Sequence, residues 1–210
     1  MQNNNGLHSL LKLPSVYTLF QELCGAHAWR RKFIREVIRP RPGDKIVDVG
    51  CGPAQMLAWL PAECAYVGLD ISEAYIESAK RKYGARGVFL VGNTATMKEI
   101  CVRGGGGADV VFCAGVLHHL DDAEVRGVLQ FAHRQLVAGG RFCALEAAWL
   151  PGQSRLSRWM VGQDRGKNIR TPDEYRALAE QVFPSVHIIP DLHPLRIPYA
   201  GLTMECLKEA

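Results

Sequence analysis

Two hydrophobic periods alternate along this 210-residue chain. Val16, Leu19, Phe20 and Leu23 recur at helical spacing within 15–24, and Phe33, Ile34, Val37 and Ile38 do so within 28–38. Pro40, Pro42 and Gly43 then end the helical pattern. Short apolar runs follow at 45–49, 65–69, 87–91, 108–113 and 140–147, separated by helical patterns at 54–60, 73–83, 94–100 and 122–137. The runs have few polar breaks; Ile46 and Val47 are adjacent, for example. Such continuity predicts parallel strands covered on both faces, and strands alternating with helices define an α/β fold. Beyond them, Thr171-Pro-Asp-Glu174 predicts a capped helix to about 182, and two last strands are expected near 186–189 and 203–207.

Chemistry enters where the first two strands end. Lys45-Ile-Val-Asp-Val-Gly-Cys-Gly-Pro-Ala54 carries Asp48, Gly50, Cys51 and Gly52, and Tyr66-Val-Gly-Leu-Asp-Ile-Ser72 carries Asp70 and Ile71. Gly50 and Gly52 allow a sharp turn and close backbone approach to a ligand. The pattern from Ala54 to Leu60 reads as a helix whose free N–H groups face the crevice. Asp70 falls at the carboxyl end of the second strand, where ligands of open α/β sheets bind and where its two oxygens can accept both hydroxyls of a ribose. A dinucleotide fingerprint needs a third glycine where Gln55 stands. Asp48 would also repel a pyrophosphate, yet it suits the ammonium of a methionyl tail.

These residues resemble the class I S-adenosylmethionine-dependent methyltransferases, and the resemblance continues in order to Glu146. Gly92-Asn-Thr-Ala-Thr-Met97 matches the adenine-holding stretch, with Asn93 where relatives carry an acid, and Thr94 beside it. The segment Ala108-Asp-Val-Val-Phe-Cys-Ala-Gly-Val-Leu-His-His-Leu-Asp-Asp122 is similar to the fourth-strand motif of quinone C-methyltransferases. Leu136-Val-Ala-Gly-Gly-Arg-Phe-Cys-Ala-Leu-Glu146 resembles the turn into strand five. The resemblance implies a Rossmann-like, seven-stranded, mostly parallel sheet with helices on both faces and a C-terminal antiparallel hairpin. It also implies S-adenosyl-L-methionine as cofactor, held by Asp48, Gly50, Cys51, Gly52, Asp70, Ile71, Asn93, Thr94, Cys113, Gly115 and His118. One domain is expected: a helical cap at 1–42, a cofactor-binding core at 43–147, a lid insertion at 148–171, and a closing helix and strands at 172–210.

Charge sharpens the picture of the caps. Residues 1–42 carry a net +5 and residues 151–170 a net +4, while the whole chain is only +4. The excess arginines, among them Arg30, Arg155, Arg158, Arg165 and Arg170, suit an acceptor with carboxylate or phosphate groups, or simply a solvated surface. Tyr17, Trp149, Arg196 and Tyr199 join Arg30, Arg155 and Arg158 as candidate substrate contacts, with Tyr75 and His193 also placed to reach the mouth. Nucleic acid is disfavoured, because the overall basicity is modest and no recognition module is visible. Seven cysteines, odd in number and without a Cys-x-x-Cys pair, predict a reduced, cytoplasmic protein. No apolar run is long enough to span a membrane, and a monomer or homodimer is expected.

Methyl transfer from a sulfonium is an in-line displacement, so positioning supplies most of the acceleration. A base is needed only if the acceptor must lose a proton. His118, His119 and Glu146 are the candidates, against the alternative that the histidines cap a helix and Glu146 partners an arginine or a helix N-terminus. No metal-ligand set is legible in the spacing; the His-His-x-Asp-Asp stretch is read as a strand end and helix cap.

Overall fold

The computed structural model describes residues 25–92, 107–164 and 166–209. The expected helices at 15–24 and 94–100, and Tyr17, Asn93, Thr94 and Arg165, lie outside the described residues. Within them the chain runs through α1 (Ala26–Phe33), β1 (Lys45–Val49), β2 (Ala65–Asp70), α2 (Glu73–Tyr83), β3 (Val88–Val91) and β4 (Ala108–Ala114). It continues through α3 (Asp122–Gln135), β5 (Leu136–Ala147), α4 (Arg155–Gly162), α5 (Pro172–Ala179), β6 (Ser185–Asp191) and β7 (Gly201–Leu207). The seven described strands form one sheet in the order β3-β2-β1-β4-β5-β7-β6. β1 to β5 pair in parallel, while β7 runs antiparallel between β5 and β6, giving the expected terminal hairpin.

Strand periodicity sorts the core into two layers. Ile46, Val110, Phe112, Cys143 and Leu145 face α1, its continuation and α2, where Phe33, Ile38 and Ile76 are buried. Their chain neighbours Val47, Val111, Cys113, Phe142 and Ala144 turn to the other side, against Val128 and Phe131 of α3 and Tyr175 and Leu178 of α5. The central strands β1 and β4 are apolar at consecutive positions because both faces are covered. α3 and α5 begin with complete capping boxes, Asp121 with Glu124 and Thr171 with Glu174.

Three local expectations change. The helix expected at 54–60 is a short 3-10 turn, Gln55–Trp59, preceded by Ala54 in the left-handed region at φ 55°. Met56 and Leu57 are buried beneath it, so apolar spacing there reports anchoring of a turn and not a long helix. α3 stops at Gln135 because Leu136 already pairs with Ala108, and Gly139 at φ 74° turns the chain into the rest of β5. α1 continues through one wide turn, Ile34–Ile38, closed by the Arg39 N–H donating to Ile34 O at 2.8 Å. No helix among the described residues is long and apolar enough to cross a membrane.

Strand order reverses about β1, which has β2 on one side and β4 on the other. A crevice for ligands opens at the carboxyl ends of strands flanking such a point. The two clusters described next both stand there.

Candidate functional site

The first cluster is built by the turn after β1. Gly50 N–H and Cys51 N–H both donate to Leu69 O, at 2.7 and 2.9 Å, which hooks the turn onto β2. Gly50 adopts φ 71°, and a Cβ there would collide with Val116, so only glycine fits. Gly52 donates its N–H to Asp70 Oδ2 at 2.8 Å, and Ser72 N–H donates to Asp70 Oδ1 at 2.8 Å. Asp70 thus holds the glycine turn and the start of α2 together, and each oxygen retains a lone pair for a ligand. Ile71, 73% exposed, leaves an apolar face beside it.

Asp48 lies behind this turn, 3% exposed, and accepts a hydrogen bond from Tyr66 Oη at 2.6 Å. Burial disfavours its charge strongly; the Tyr66 bond partly opposes that, and its pKa is pushed up to about 7. Arg30, expected on the acceptor side, instead stands at this turn, with Nη1 donating to Gln55 Oε1 at 3.4 Å and its charge reaching Asp48. Cys51 is buried with its sulfur against Gly68, and its thiol is held well above the usual range, chiefly by burial.

The second cluster gathers four separate segments. Glu146, at the end of β5 and 1% exposed, accepts the N–H groups of Val116 and Leu117 at 3.0 and 2.9 Å through Oε1. Its Oε2 lies 2.6 Å from His118 Nδ1. On the other side of the ring, His118 Nε2 is 3.3 Å from Asp164 Oδ1, and Tyr199 Oη donates to Asp164 Oδ2 at 2.6 Å. Burial opposes charging of His118, but the hydrogen bonds to Asp164 and Glu146 outweigh it and push its pKa up to about 10. Burial likewise works against the Asp164 carboxylate, yet His118 and Tyr199 hold its pKa below the usual range.

In this geometry both ring nitrogens of His118 stand against carboxylates, which favours its charged form over that of an imidazole titrating near neutrality. Glu146 is correspondingly occupied with capping the Leu117–His119 turn, the alternative left open by sequence. His119 is exposed, its ring centroid 4.2 Å from that of His118. Cys113 does not face the crevice with its side chain; it is fully buried, and its thiol donates to Glu146 Oε1 at 3.8 Å. Exposed Gly115, at φ 72°, lies next to His118.

The arginines divide. Arg170 is buried and structural, donating to Asp122 Oδ1 at 2.7 Å and to the carbonyls of Leu117, Leu120 and Asn168. Arg158 stacks over Trp149 at 5.4 Å, and Arg155 is exposed at the start of α4. Arg196 packs across Gly25, and His193 and Tyr75 are exposed. Around 148–171 the ends are pinned: Ala148 pairs with Arg170, and Asn168 N–H donates to His118 O at 3.0 Å. Gly166 lies so close to the His118 ring that no side chain fits. Sequence reasoning missed Asp164 and Tyr66. Asp164 was the lone acid in a basic segment, a signal that was present; Tyr66 showed only as an ordinary strand aromatic.

Residues 46–140 match the family described as a methyltransferase domain. A demethylmenaquinone methyltransferase of Symbiobacterium thermophilum is 29% identical over 65% of this chain and 57% of its own length. An uncharacterised methyltransferase of Synechocystis is 28% identical over 63% of each. The chain thus spans less than two thirds of these relatives. Among solved structures, geranyl diphosphate C-methyltransferase of Streptomyces coelicolor, in complex with S-adenosyl-L-homocysteine, superimposes with a TM-score of 0.67 at 17% identity, over 87% of this chain and 76% of that one.

Proposed function

We propose that the chain transfers the methyl group of S-adenosylmethionine to a carbon or oxygen atom of a small, anionic or partly apolar metabolite. The observation that supports this reading is the junction of the two clusters: the glycine turn held on Asp70 at β1 and β2 beside the Glu146, His118 and Asp164 group at β4 and β5. Asp70 would take the ribose hydroxyls, Ile71 the flat face of the base, and Asp48 the ammonium of the methionyl tail. Asn93, Thr94 and Gly115 complete the proposed cofactor contacts. When bound, the cofactor supplies an electrophilic methyl on sulfur; the residues orient it and exclude water.

On the acceptor side, His119, Trp149, Arg155, Arg158, Arg196 and Tyr199 are the proposed contacts, with Tyr17 from the N-terminal cap. Exposed Trp159 and Leu156 on α4 favour an acceptor with an apolar part. Five described cysteines are free and buried, which supports a reducing, cytoplasmic setting. The test is turnover of methyl-labelled S-adenosylmethionine with fractionated metabolite extracts. Label appearing in a small organic product supports the reading. Cofactor binding by calorimetry without turnover on any fraction supports a binding module instead, and label in RNA supports a macromolecular acceptor.

A further inference from the structure

We propose that His118, His119 and Asp164 form a binding site for one divalent transition-metal ion of the zinc or ferrous type, on the acceptor side of the crevice. Each residue offers one ligand atom, and all three atoms lie within 4.8 Å of one another. His118 Nε2 and Asp164 Oδ1 are 3.3 Å apart, and the ion takes the place of the proton that Nε2 shares with Asp164, which is released to water on binding. Two ligands at about 2.0–2.1 Å from a tetrahedral ion are separated by about 3.3 Å, so this pair already forms one edge of the polyhedron. His119, exposed on the same turn, needs only a side-chain rotation to close the face.

The outer contacts are those a metal site requires. Ligating histidines almost always give their second nitrogen to a carboxylate or carbonyl, which fixes the tautomer. His118 Nδ1 meets Glu146 at 2.6 Å, and Glu146 is itself held by two backbone N–H groups. Asp164 has Oδ2 held by Tyr199 at 2.6 Å, while Oδ1 accepts the Gly166 N–H at 3.1 Å and keeps a lone pair toward the ring. Gly166 packs on the His118 ring and prevents it from swinging away. Two imidazoles with one carboxylate suit zinc or ferrous iron and are poor partners for magnesium or calcium, which take oxygen ligands.

Three protein ligands leave coordination positions open. For a role in catalysis the proposal rests on the methyl-transfer reading; for ion binding it does not. An acceptor hydroxyl in an open position loses its proton to water, its oxygen bonds to the methyl carbon, and the carbon–sulfur bond breaks with its electron pair left on sulfur. This places acceptor activation at the residues where a free base is lacking.

The experiment uses the full chain, stripped with chelator and kept reduced, titrated with zinc chloride by calorimetry and with cobalt chloride by visible absorption, in the absence of cofactor. The expected result is one ion per chain and a cobalt spectrum without thiolate charge transfer. His119→Ala, at an exposed position that leaves the core intact, and Asp164→Asn each weaken binding at least about 10-fold, since even an outer-shell loss costs a metal site that much. No stoichiometric uptake, a thiolate band, or an affinity unchanged in His119→Ala overturns the site. Binding of S-adenosylhomocysteine, measured separately on the stripped chain, reports on the methyltransferase reading alone.

Discussion

The two halves of the crevice are built by opposite means. On the side proposed for the cofactor, a short loop and two adjacent parallel strands place backbone N–H groups on one carboxylate, Asp70. On the acceptor side, side chains from β5, the turn after β4, the 148–171 insertion and the 192–200 loop converge on one imidazole. The first half is a local device that varies little with what surrounds it. The second is a long-range charge network whose every member depends on another, so its failure is expected to be cooperative.

The largest effect that separates the halves is on stability. Glu146→Ala strands the N–H groups of Val116 and Leu117 and leaves a buried imidazolium with one counter-ion. A loss of about 3–5 kcal/mol in unfolding free energy is expected, the range for breaking a buried pair from one side. Denaturant unfolding checks it, with Glu146→Gln recovering part of the loss because its carbonyl still accepts the backbone bonds. A change below about 1 kcal/mol, the range of an exposed ion pair, would mean that the acceptor-side network is not cooperative.

Next is Asp70→Ala, expected to weaken S-adenosylhomocysteine at least about 100-fold, because hydrogen bonds to a charged group contribute about 1.5–3 kcal/mol each. Calorimetry measures it; unchanged affinity would remove Asp70 from the cradle. A smaller effect distinguishes the buried acid. Asp48 has its pKa raised from 3.8 to about 7, so it is neutral below that pH and ionised above. Attraction for the ligand ammonium therefore grows as pH rises through 7, and cofactor affinity should climb roughly 10-fold between pH 6 and pH 8. The sign for stability is reversed. Ionisation is harder in the folded state, so the empty protein loses stability as pH rises from 3.8 to about 7. Asp48→Asn should then raise Tm at pH 8 by roughly 5 °C while flattening the pH dependence of binding. A flat profile in the unaltered protein would falsify the ammonium role.

The smallest expected change is on the cofactor itself. Replacing Arg155 and Arg158 with Gln should leave S-adenosylhomocysteine affinity within about 2-fold, since exposed charges act weakly over distance. The same variant should raise the KM for an anionic acceptor. A cofactor defect as large as that of Asp70→Ala would erase the division between the halves.

Legibility in the sequence followed the same division. Asp48, the glycine turn and Asp70 were visible because parallel-strand periodicity fixes where a strand ends, and the ligand end follows from that. Two-sided burial produced unbroken apolar runs, so β1 to β4 lie within a residue or two of their expected positions, while β5 begins at Leu136, four residues before the expected start, and the terminal hairpin was implied by the family resemblance. The short turn at Gln55–Trp59 misled because apolar residues anchoring a single turn mimic the start of a helix. Arg170 misled for another reason: its charge counts toward a basic lid, yet its guanidinium is spent on Asp122 and three carbonyls.

By itself, the sequence determined the strand-helix alternation, the end of the sheet at which the crevice opens and the glycine turn that meets Asp70, since all of these arise from contacts between neighbouring segments. Tertiary structure alone decided that His118 stands between Glu146 and Asp164, that His119 and Asp164 come together beside it, and that Arg30 lies at the turn after β1. Those outcomes depend on burial and on distances of a few ångströms between segments far apart in the chain. Neither burial nor such distances are written in a residue's local neighbourhood, and both set whether a histidine is a base, a latch or a ligand.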